Sequence, residues 1–432
     1  MIALDSGQRN FQKEFSKLVD RAASTDPKIT RAAADIVADV RKNGDKALFK
    51  WTKKLDKLSL TKKSALVSPA EFNKAGKSVS PKLKKAITAA FINVTEFHAN
   101  QVERSWVVKN GQTRVGQLIR PLKRVGLYVP GGKASYPSSV IMNAVPALVA
   151  GVEEIIVCSP ATGGAVHPAV LYAAELCGVR EFYKVGGAQA VSAMAYGTET
   201  IKKVDKITGP GNAYVAEAKR IVFGAVDIDM IAGPSEICVI ADESANPAWC
   251  AADLLSQAEH DELAVIVFIS PSGKMCADVV KEIEKQVALL KRRKIAEKCL
   301  VNGFHLIKTK NIAEALELAN EIAPEHLQLV FKGSEKMIDD VQNAGAVFVG
   351  KWSPEALGDY MAGPNHVLPT AGSARFSSPL GVYDFIKRTS LIDFSQSAFM
   401  EVANDIAELA EAEGLTAHAN SAKIRLLGKN SR

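Results

Sequence analysis

The spacing of hydrophobic positions divides the chain into helical ends and a middle in which strands alternate with helices. Apolar residues recur at helical spacing over 29–51 and 81–102, where Gly and Pro are few. We therefore expect residues 10 to 105 to be mostly helical. A further helix is predicted over 396–412, so the sheets are expected in the middle of the chain.

Short β-branched or apolar runs mark the strands of the middle region, and several of them end in Gly or Pro. These runs span 125–129, 154–158, 181–185, 204–207, 236–240, 264–269, 304–308 and 347–349. The segments between them have helical spacing, at 140–150, 167–177, 188–195, 213–222, 274–290 and 312–322. Strands that alternate with helices predict parallel sheets, so the expected fold class is α/β.

Composition is that of a globular protein and argues against nucleic acid or membrane partners. Hydrophobic residues make up 47% and charged residues 23% of the 432 positions, which are ordinary values. The net charge of +7 comes from scattered Lys and Arg, and aromatics are only 6%, so the small basic clusters are interpreted as solvated helix faces. Charged residues and a proline interrupt the most apolar window, 140–158, so no membrane span is expected.

Cysteine usage and the first residues predict a cytoplasmic protein. None of the six cysteines belongs to a Cys-x-x-Cys pair, and several lie in apolar runs, where a free Cys behaves as a small hydrophobe. The first ten residues include Asp5 and Arg9 and lack the apolar core of a signal peptide. Reduced thiols and no export signal fit the cytoplasm.

Three Gly-rich strand ends form the candidate cofactor site. They lie at 128–132, 186–189 and 209–212, each after a predicted strand and before a predicted helix. Ligands of open α/β sheets bind at the carboxyl ends of strands, and the free amides of a helix N-terminus suit a phosphate. No G-x-G-x-x-G fingerprint occurs in such a context, and a Gly-rich turn is often only a turn. Spacing alone leaves both interpretations open.

Two pairs of polar residues are candidates for chemistry. Gln257 and His260 are three apart on a predicted helix, so they share a face that either binds a metal ion or forms a polar helix end. Glu325 and His326 are adjacent after a proline that ends a helix. An imidazole beside a carboxylate can act as an acid–base pair, and the alternative is an exposed Glu next to a half-buried His.

A long polar segment at 352–370 is rich in Gly and Pro and carries Asp359 and His366. Loops of this kind are more often functional than plain connectors. Near the end of the chain, Glu413 and His418 follow the last predicted helix. From position alone, a single His there is interpreted as incidental.

Taken in order, these motifs resemble the histidinol dehydrogenase family. The resemblance runs from about residue 30 to about residue 425, and it is carried by the segments 128–132, 186–190, 209–212, 232–236, 256–260, 324–327, 358–360, 365–369 and 415–418. It implies an oxidation of L-histidinol to L-histidine in two NAD-dependent steps through histidinaldehyde, at the end of histidine biosynthesis. It also implies two Rossmann-like parallel-sheet domains without the usual fingerprint, small helical terminal segments, and a homodimer whose C-terminal tail completes the partner's site.

The resemblance assigns roles to individual residues. Glu325 and His326 would be the catalytic pair, with His326 as the base and Glu325 activating water. One Zn²⁺ per site would be bound by Gln257, His260, Asp359 and His418. NAD would contact Tyr128, Gln189 and Asn212. The substrate would contact Ser235, Gln257, His260, His326, Asp359, His366, Glu413 and His418.

The expected domains follow from the same resemblance. Residues 1–25 would be an N-terminal helical arm, and residues 381–432 a helical tail that completes the partner's site. The first Rossmann-like domain, with the catalytic pair and most zinc ligands, would combine 26–125 with 235–380, and the second, on the NAD side, would be 126–234.

Three other functions are compatible with parts of the pattern. A related zinc and NAD dehydrogenase could act on another small polar alcohol, such as a sulfonated propanediol, although Glu413 together with His366 favours histidinol. A zinc hydrolase could use Glu325 as its base, but it would not need three Gly-rich strand ends for a dinucleotide. A binding protein without activity would not need an acid–base pair beside a metal.

Overall fold

The structure, a computed structural model, describes residues 1–21, 26–131 and 136–427. Its contacts group into two compact units, and each is described by itself. The larger unit holds Met1–Gln101 and Leu122–Phe385, and the smaller unit holds Val102–Pro121 and Ile386–Arg432.

Strands and helices are numbered along the chain. The strands are β1 (Ile2–Asp5), β2 (Trp106–Asn110), β3 (Thr113–Pro121), β4 (Arg124–Tyr128), β5 (Glu154–Cys158), β6 (Glu181–Tyr183), β7 (Lys206–Thr208), β8 (Asp227–Ile228), β9 (Glu236–Ala241), β10 (Val265–Ser270), β11 (Phe304–Lys308), β12 (His326–Val330), β13 (Ala346–Val349) and β14 (Ile386–Phe394). The helices are α1 (Phe11–Val19), α2 (Pro27–Leu55), α3 (Lys62–Ala65), α4 (Pro69–Ser78), α5 (Pro81–Ala99), α6 (Pro137–Ala150), α7 (Pro168–Leu176), α8 (Gly187–Tyr196), α9 (Ala213–Val222), α10 (Pro247–Ala258), α11 (Gly273–Val287), α12 (Arg293–Asn302), α13 (Ile312–Ile322), α14 (Glu355–Tyr360), α15 (Gln396–Ala412) and α16 (Thr416–Leu427).

Two parallel sheets form the framework of the larger unit. One has six strands in the order β1-β11-β10-β9-β12-β13, and the other has five in the order β6-β5-β4-β7-β8. Every strand pair in both sheets is parallel, and helices connect successive strands. Strand β9 is buried along its whole length, which explains its continuous apolar sequence. The predicted α/β class with parallel sheets is confirmed.

The helices of residues 27–99 pack against the five-stranded sheet. Ile36 and Leu48 of α2 share a buried cluster with Val191 of α8 and Val215 of α9. The helices α4 and α5 contribute to a second cluster with α6 and α7. The sequence-based prediction groups 26–125 with 235–380 in one Rossmann-like domain, and that division stays a prediction. Helical spacing shows that a helix has an apolar face, but it does not show which sheet covers that face.

The first residues form part of the six-stranded sheet. Strand β1 pairs in parallel with β11, from Ile2 opposite His305 to Asp5 opposite Lys308. Phe11 and Phe15 of α1 then pack into the core of the same sheet. The predicted helical arm over 1–25 is therefore an edge strand followed by a nine-residue helix, and residues 22–25 lie outside the described ranges.

The smaller unit combines an antiparallel sheet with a helical hairpin. Strand β14 pairs with β3, and β3 pairs with β2. The helices α15 and α16 contact each other through four buried alanines, Ala407, Ala410, Ala419 and Ala422. The sequence predicts a helical tail over 381–432, so the strand at 386–394 is a difference, and residues 428–432 lie outside the described ranges.

The six cysteines are all buried and unpaired. Burial raises the pKa of every one of these thiols, which agrees with their interpretation as small hydrophobic residues. Among the described residues, no helix has both the length and the apolar composition needed to cross a membrane.

Candidate functional site

Glu325 and His326 lie at the amino end of β12, at the point where the chain leaves α13. Ala323, in a left-handed conformation with φ of 49°, ends that helix, and Pro324 prevents it from continuing. Both members of the pair are buried, with 7% of Glu325 and 4% of His326 exposed. The two adjacent side chains therefore both lie in the interior, and the alternative prediction of an exposed Glu325 is wrong.

One residue of the neighbouring strand binds both members of this pair. The backbone N–H of Glu236 donates to Oε2 of Glu325 at 2.7 Å, and the carbonyl oxygen of Glu236 lies 2.8 Å from Nδ1 of His326. Because a carbonyl oxygen can only accept, Nδ1 carries the proton and Nε2 has the free lone pair. Burial lowers the pKa of His326 to about 4, so the ring is neutral near pH 7.

The carboxyl group of Glu325 has the opposite shift. Burial raises the pKa of Glu325 well above its usual value, and the nearby carboxylates of Glu236, Asp359 and Glu355 act in the same direction. Its Oε2 lies 3.6 Å from Nδ1 of His326. A neutral imidazole and a carboxyl group that binds its proton tightly are thus side by side, which is the arrangement needed for proton transfer.

Two carboxylates of α14 face the same imidazole. Oε1 of the buried Glu355 lies 4.0 Å from Nε2 of His326, and its Oε2 accepts a hydrogen bond of 2.9 Å from Ser256. One ligand atom from each of His326, Glu355 and Asp359 can be chosen so that all lie within 4.8 Å of one another. Burial raises the pKa of Glu355 to about 8 and that of Asp359 to about 6. Such a group of acids and imidazole is suited to a cation.

Glu355 is the residue that sequence reasoning missed. It follows Pro354 in the first turn of a helix, where a Glu is ordinarily a solvated, helix-stabilising residue. The signal that was available is its spacing of four from Asp359, which places both carboxylates on one face of α14.

The predicted metal ligands Gln257 and His260 lie at the end of α10. Gln257 is in the last turn and only 1% exposed, and no described residue donates a hydrogen bond to its Oε1. His260 follows the helix end and is exposed, and its backbone N–H donates to the carbonyl of Gln257 at 3.1 Å. Positive charge on His260 would lower the pKa of both His326 and His366, so the three imidazoles lie near one another.

The predicted substrate residues fall into two groups. Nδ1 of His366 lies 3.2 Å from the carbonyl oxygen of Asp359, and burial lowers the pKa of this imidazole to about 4. Ser235 directly precedes Glu236 and is partly buried. Glu413 and His418 belong to the smaller unit, at the end of α15 and in the first turn of α16, and both are exposed.

The predicted dinucleotide residues lie at the carboxyl ends of strands in the five-stranded sheet. Tyr128 ends β4, and its buried hydroxyl accepts a hydrogen bond of 3.0 Å from the backbone of Gly187. Gln189 is completely buried in α8 and donates to Asp56 at 3.2 Å. Asn212 caps α9 and accepts from the backbone amides of its second and third residues, both at 3.1 Å. Residue Gly132 of the first motif lies outside the described ranges.

Gly209 allows the loop after β7 to pass close to β4. Its φ is +112°, and an added Cβ atom would lie 2.0 Å from the carbonyl oxygen of Tyr128. We expect Gly209→Ala to lower the free energy of unfolding by about 3 kcal/mol or more, because both backbone strain and a clash with the main chain result.

The matched control for this prediction is Gly178→Ala. Gly178 has a φ of +69°, but nothing lies within 4 Å of its added Cβ, so only strain of about 1 kcal/mol is expected. Calorimetry on the two variants checks the difference. Equal losses would show that the contact with Tyr128 relaxes without cost.

The residues predicted to bind the dinucleotide and those predicted to be catalytic lie at opposite strand ends of the two sheets. The three Gly-rich motifs follow the carboxyl ends of β4, β6 and β7, where the rule for open sheets places ligands, whereas Glu325 and His326 lie at the amino end of β12. The seven residues 229–235 join the carboxyl end of β8 to the amino end of β9. An extended segment of that length spans at most roughly 25 Å, which limits the separation of these two edges.

Comparisons with known proteins agree on one family. The family model described as histidinol dehydrogenase matches residues 19–426. The chain is 51% identical over 421 residues to a histidinol dehydrogenase of Caldanaerobacter subterraneus subsp. tengcongensis, covering 96% of this chain and 98% of that protein. It is also 51% identical over 398 residues to the histidinol dehydrogenase of Bacillus subtilis, covering 91% and 92%. The crystal structure of histidinol dehydrogenase from Elizabethkingia anophelis has a TM-score of 0.93 at 38% identity, covering 100% of this chain and 99% of that one.

Proposed function

The chain belongs to the histidinol dehydrogenase family, and from this premise we propose that it oxidises L-histidinol to L-histidine in two NAD-dependent steps through histidinaldehyde. The observation that carries the proposal is the buried, neutral His326, whose Nε2 is a free acceptor next to Glu325. Membership of a dehydrogenase family argues against the zinc hydrolase that the sequence left open.

In the first step, Nε2 of His326 accepts the proton of the substrate hydroxyl group. Its Nδ1–H bond to the carbonyl of Glu236 fixes the ring orientation, and that carbonyl also stabilises the protonated ring. NAD, when bound, supplies the acceptor for the hydride that leaves the carbon atom bearing this hydroxyl group. The alcohol thereby loses one proton and one hydride and becomes the aldehyde.

In the second step, Glu325 accepts a proton from the water that adds to the aldehyde. Because burial raises the pKa of Glu325, its carboxylate is a stronger base than an exposed one. The hydrogen bond from the backbone of Glu236 fixes Oε2, which leaves the other carboxylate oxygen for the water molecule. The protonated His326 gives its Nε2 proton to the aldehyde oxygen as water adds, which forms the hydrated aldehyde. The neutral ring then accepts a hydroxyl proton of the hydrated aldehyde as the second hydride leaves.

The larger unit offers residues that fit the zinc ion of the family. Gln257 carries a buried oxygen without a hydrogen-bond donor among the described residues, and a cation would satisfy it. Asp359 and His260 complete the part of the ligand set within this unit, and Glu355 is an additional acidic candidate. Zinc, when bound, supplies a positive charge that anchors the nitrogen atoms of the substrate.

In this proposal the C-terminal tail supplies the fourth zinc ligand, His418, and a further substrate contact, Glu413. Glu413 and His418 are exposed on the smaller unit, and we propose that they complete the site of a second copy in a homodimer. The six unpaired thiols support a reducing, cytoplasmic location.

NADH production tests the reaction and the metal together. We expect two NADH per L-histidinol from the purified protein, a loss of at least tenfold in rate after chelation, and recovery when Zn²⁺ is added back, with the bound metal measured by mass spectrometry. Activity unaffected by complete metal removal would contradict the zinc requirement. Folded, zinc-loaded protein that produces no NADH from L-histidinol would contradict the substrate, and other small polar alcohols would then be tested.

A further inference from the structure

A buried ion pair lies beneath the loop that carries Asn212. Lys219 of α9 and Asp229, the first residue after β8, contact each other through Nζ and Oδ1. Only 3% of the Lys219 side chain and 1% of the Asp229 side chain are exposed. Neither residue was singled out by the sequence patterns, because a Lys on a helix and an Asp after a strand are ordinarily solvated.

Both ions bind the same residue of the loop. Oδ2 of Asp229 accepts the backbone N–H of Gly209 at 2.7 Å, and Nζ of Lys219 donates to the carbonyl oxygen of Gly209 at 3.0 Å. The pair therefore holds both polar backbone groups of one glycine. The second oxygen of Asp229 also accepts the backbone N–H of Met230 at 2.7 Å, which fixes the orientation of the carboxylate.

The energetics indicate that the main role of this ion pair is to bind the backbone of the loop, not to add net stability to the fold. Removing two charges from water costs several kcal/mol, and a buried ion pair is often no more stable than apolar residues of the same volume. An apolar pair would therefore pack the sheet edge equally well. An apolar pair could not bind the N–H and the carbonyl oxygen of Gly209. Without these two hydrogen bonds, the backbone at Gly209 would be free to change conformation.

The loop over 209–212 has further contacts at both of its ends. Gly209 lies against the carbonyl of Tyr128, and Asn212, three residues later, is bonded to the first turn of α9. Lys219 is on that same helix, so the helix carries both the cap and one member of the ion pair. Positions 209–212 thus form a loop whose shape is set from both sides.

We propose that Lys219 and Asp229 are positioning residues that hold this loop in the conformation that binds the dinucleotide. The proposal rests on the proposed function, because it takes Asn212 as a contact of NAD. Neither side chain reaches solvent, so both act through Gly209 and not by touching the cofactor.

The test is direct binding of NADH, measured by its fluorescence, to Asp229→Asn. The Asn side chain can still accept from Gly209 but leaves Lys219 without its counter-ion, so we expect the dissociation constant to rise at least fivefold. The KM for L-histidinol, and kcat at saturating NAD, should change less than twofold. A dissociation constant equal to that of the wild type would overturn the proposal.

Asp227→Asn is the matched control. Asp227 lies two residues earlier and also pairs with a buried lysine, Lys206, at 2.9 Å, but it is 53% exposed and Lys206 retains Asp384 at 3.4 Å. The charge change is the same, and Gly209 is not contacted, so binding of NADH should be unchanged. A loss equal to that of Asp229→Asn would assign the effect to net charge and contradict the positioning role.

A double variant keeps the test decisive if Asp229→Asn folds poorly. Lys219→Met combined with Asp229→Leu removes both charges and preserves an apolar packing of similar volume, so it should fold and still bind NADH at least fivefold more weakly. Wild-type affinity in this variant would show that the pair is only structural. Wild-type protein that binds no NADH would instead contradict the proposed function itself.

Discussion

Replacing His326 with Asn is expected to slow both half-reactions, from histidinol to histidinaldehyde and from histidinaldehyde to histidine, by about 10²- to 10⁴-fold. The Asn amide can still donate to the carbonyl of Glu236 in place of Nδ1, so the strand end should keep its structure. What disappears is the basic nitrogen at Nε2, which accepts a proton in each oxidation. Stopped-flow measurement of NADH, started from histidinol or from histidinaldehyde, gives the two rates separately.

His305→Asn is a matched control for this variant. His305 is also on the six-stranded sheet, burial lowers the pKa of its imidazole, and its Nδ1 lies 3.2 Å from a backbone carbonyl, that of Gly303. It is on β11, which β10 and β9 separate from β12, so its replacement should leave both rates within twofold. If His326→Asn kept the wild-type rate in either half-reaction, His326 would not be the base of that step.

Glu325→Gln is expected to separate the two half-reactions. Gln can still accept the hydrogen bond from Glu236, but it cannot take a proton from water. We expect the aldehyde-to-acid rate to fall by about 10²-fold or more and the alcohol-to-aldehyde rate by less than tenfold. A rapid burst of one NADH per site followed by a slow second NADH would be the signature.

The control for Glu325→Gln is Glu321→Gln, an identical change on the exposed surface of α13. It should reproduce the wild-type time course. Equal losses in the two half-reactions of Glu325→Gln would remove the water-activating role assigned to this carboxylate and point to a purely electrostatic contribution.

The parts of the fold that the sequence predicts well are those with a clear apolar run or clear helical spacing. The strands at 154–158 and 304–308 and the helices at 213–222, 312–322 and 396–412 have the predicted bounds. Such patterns arise because one face of the helix, or both faces of the strand, pack against other elements. Strand β2 is exposed at all five positions and β1 is largely exposed, so neither has a pattern that distinguishes it from a loop.

The residues of the candidate site likewise fall into those that the sequence predicts and those that it does not. Adjacent Glu325 and His326, and the spacing of Gln257 and His260, can be read along the chain. Residues that join the site through contacts distant in sequence cannot be identified in this way. Glu355 accepts a hydrogen bond from Ser256, 99 positions earlier, and its own sequence context is that of an ordinary helix start. The conformation of the loop at 209–212 likewise depends on a buried ion pair that no local pattern indicates.

The backbone of Glu236 has a consequence for how the enzyme tolerates mutation. Both hydrogen bonds to the proposed catalytic pair are made by main-chain atoms of Glu236, so among substitutions at position 236 only proline, which lacks the N–H, would delete one of them. The side chain of Glu236 is engaged elsewhere, with Arg21 at 2.6 Å. Substitution at position 236 therefore leaves the orientation of the proposed base to the backbone, whereas an insertion or deletion of one residue within β9 or β12 would shift the pairing of these strands and move both partners. The orientation of the proposed base is thus set by the register of two strands and not by the identity of the side chain at position 236.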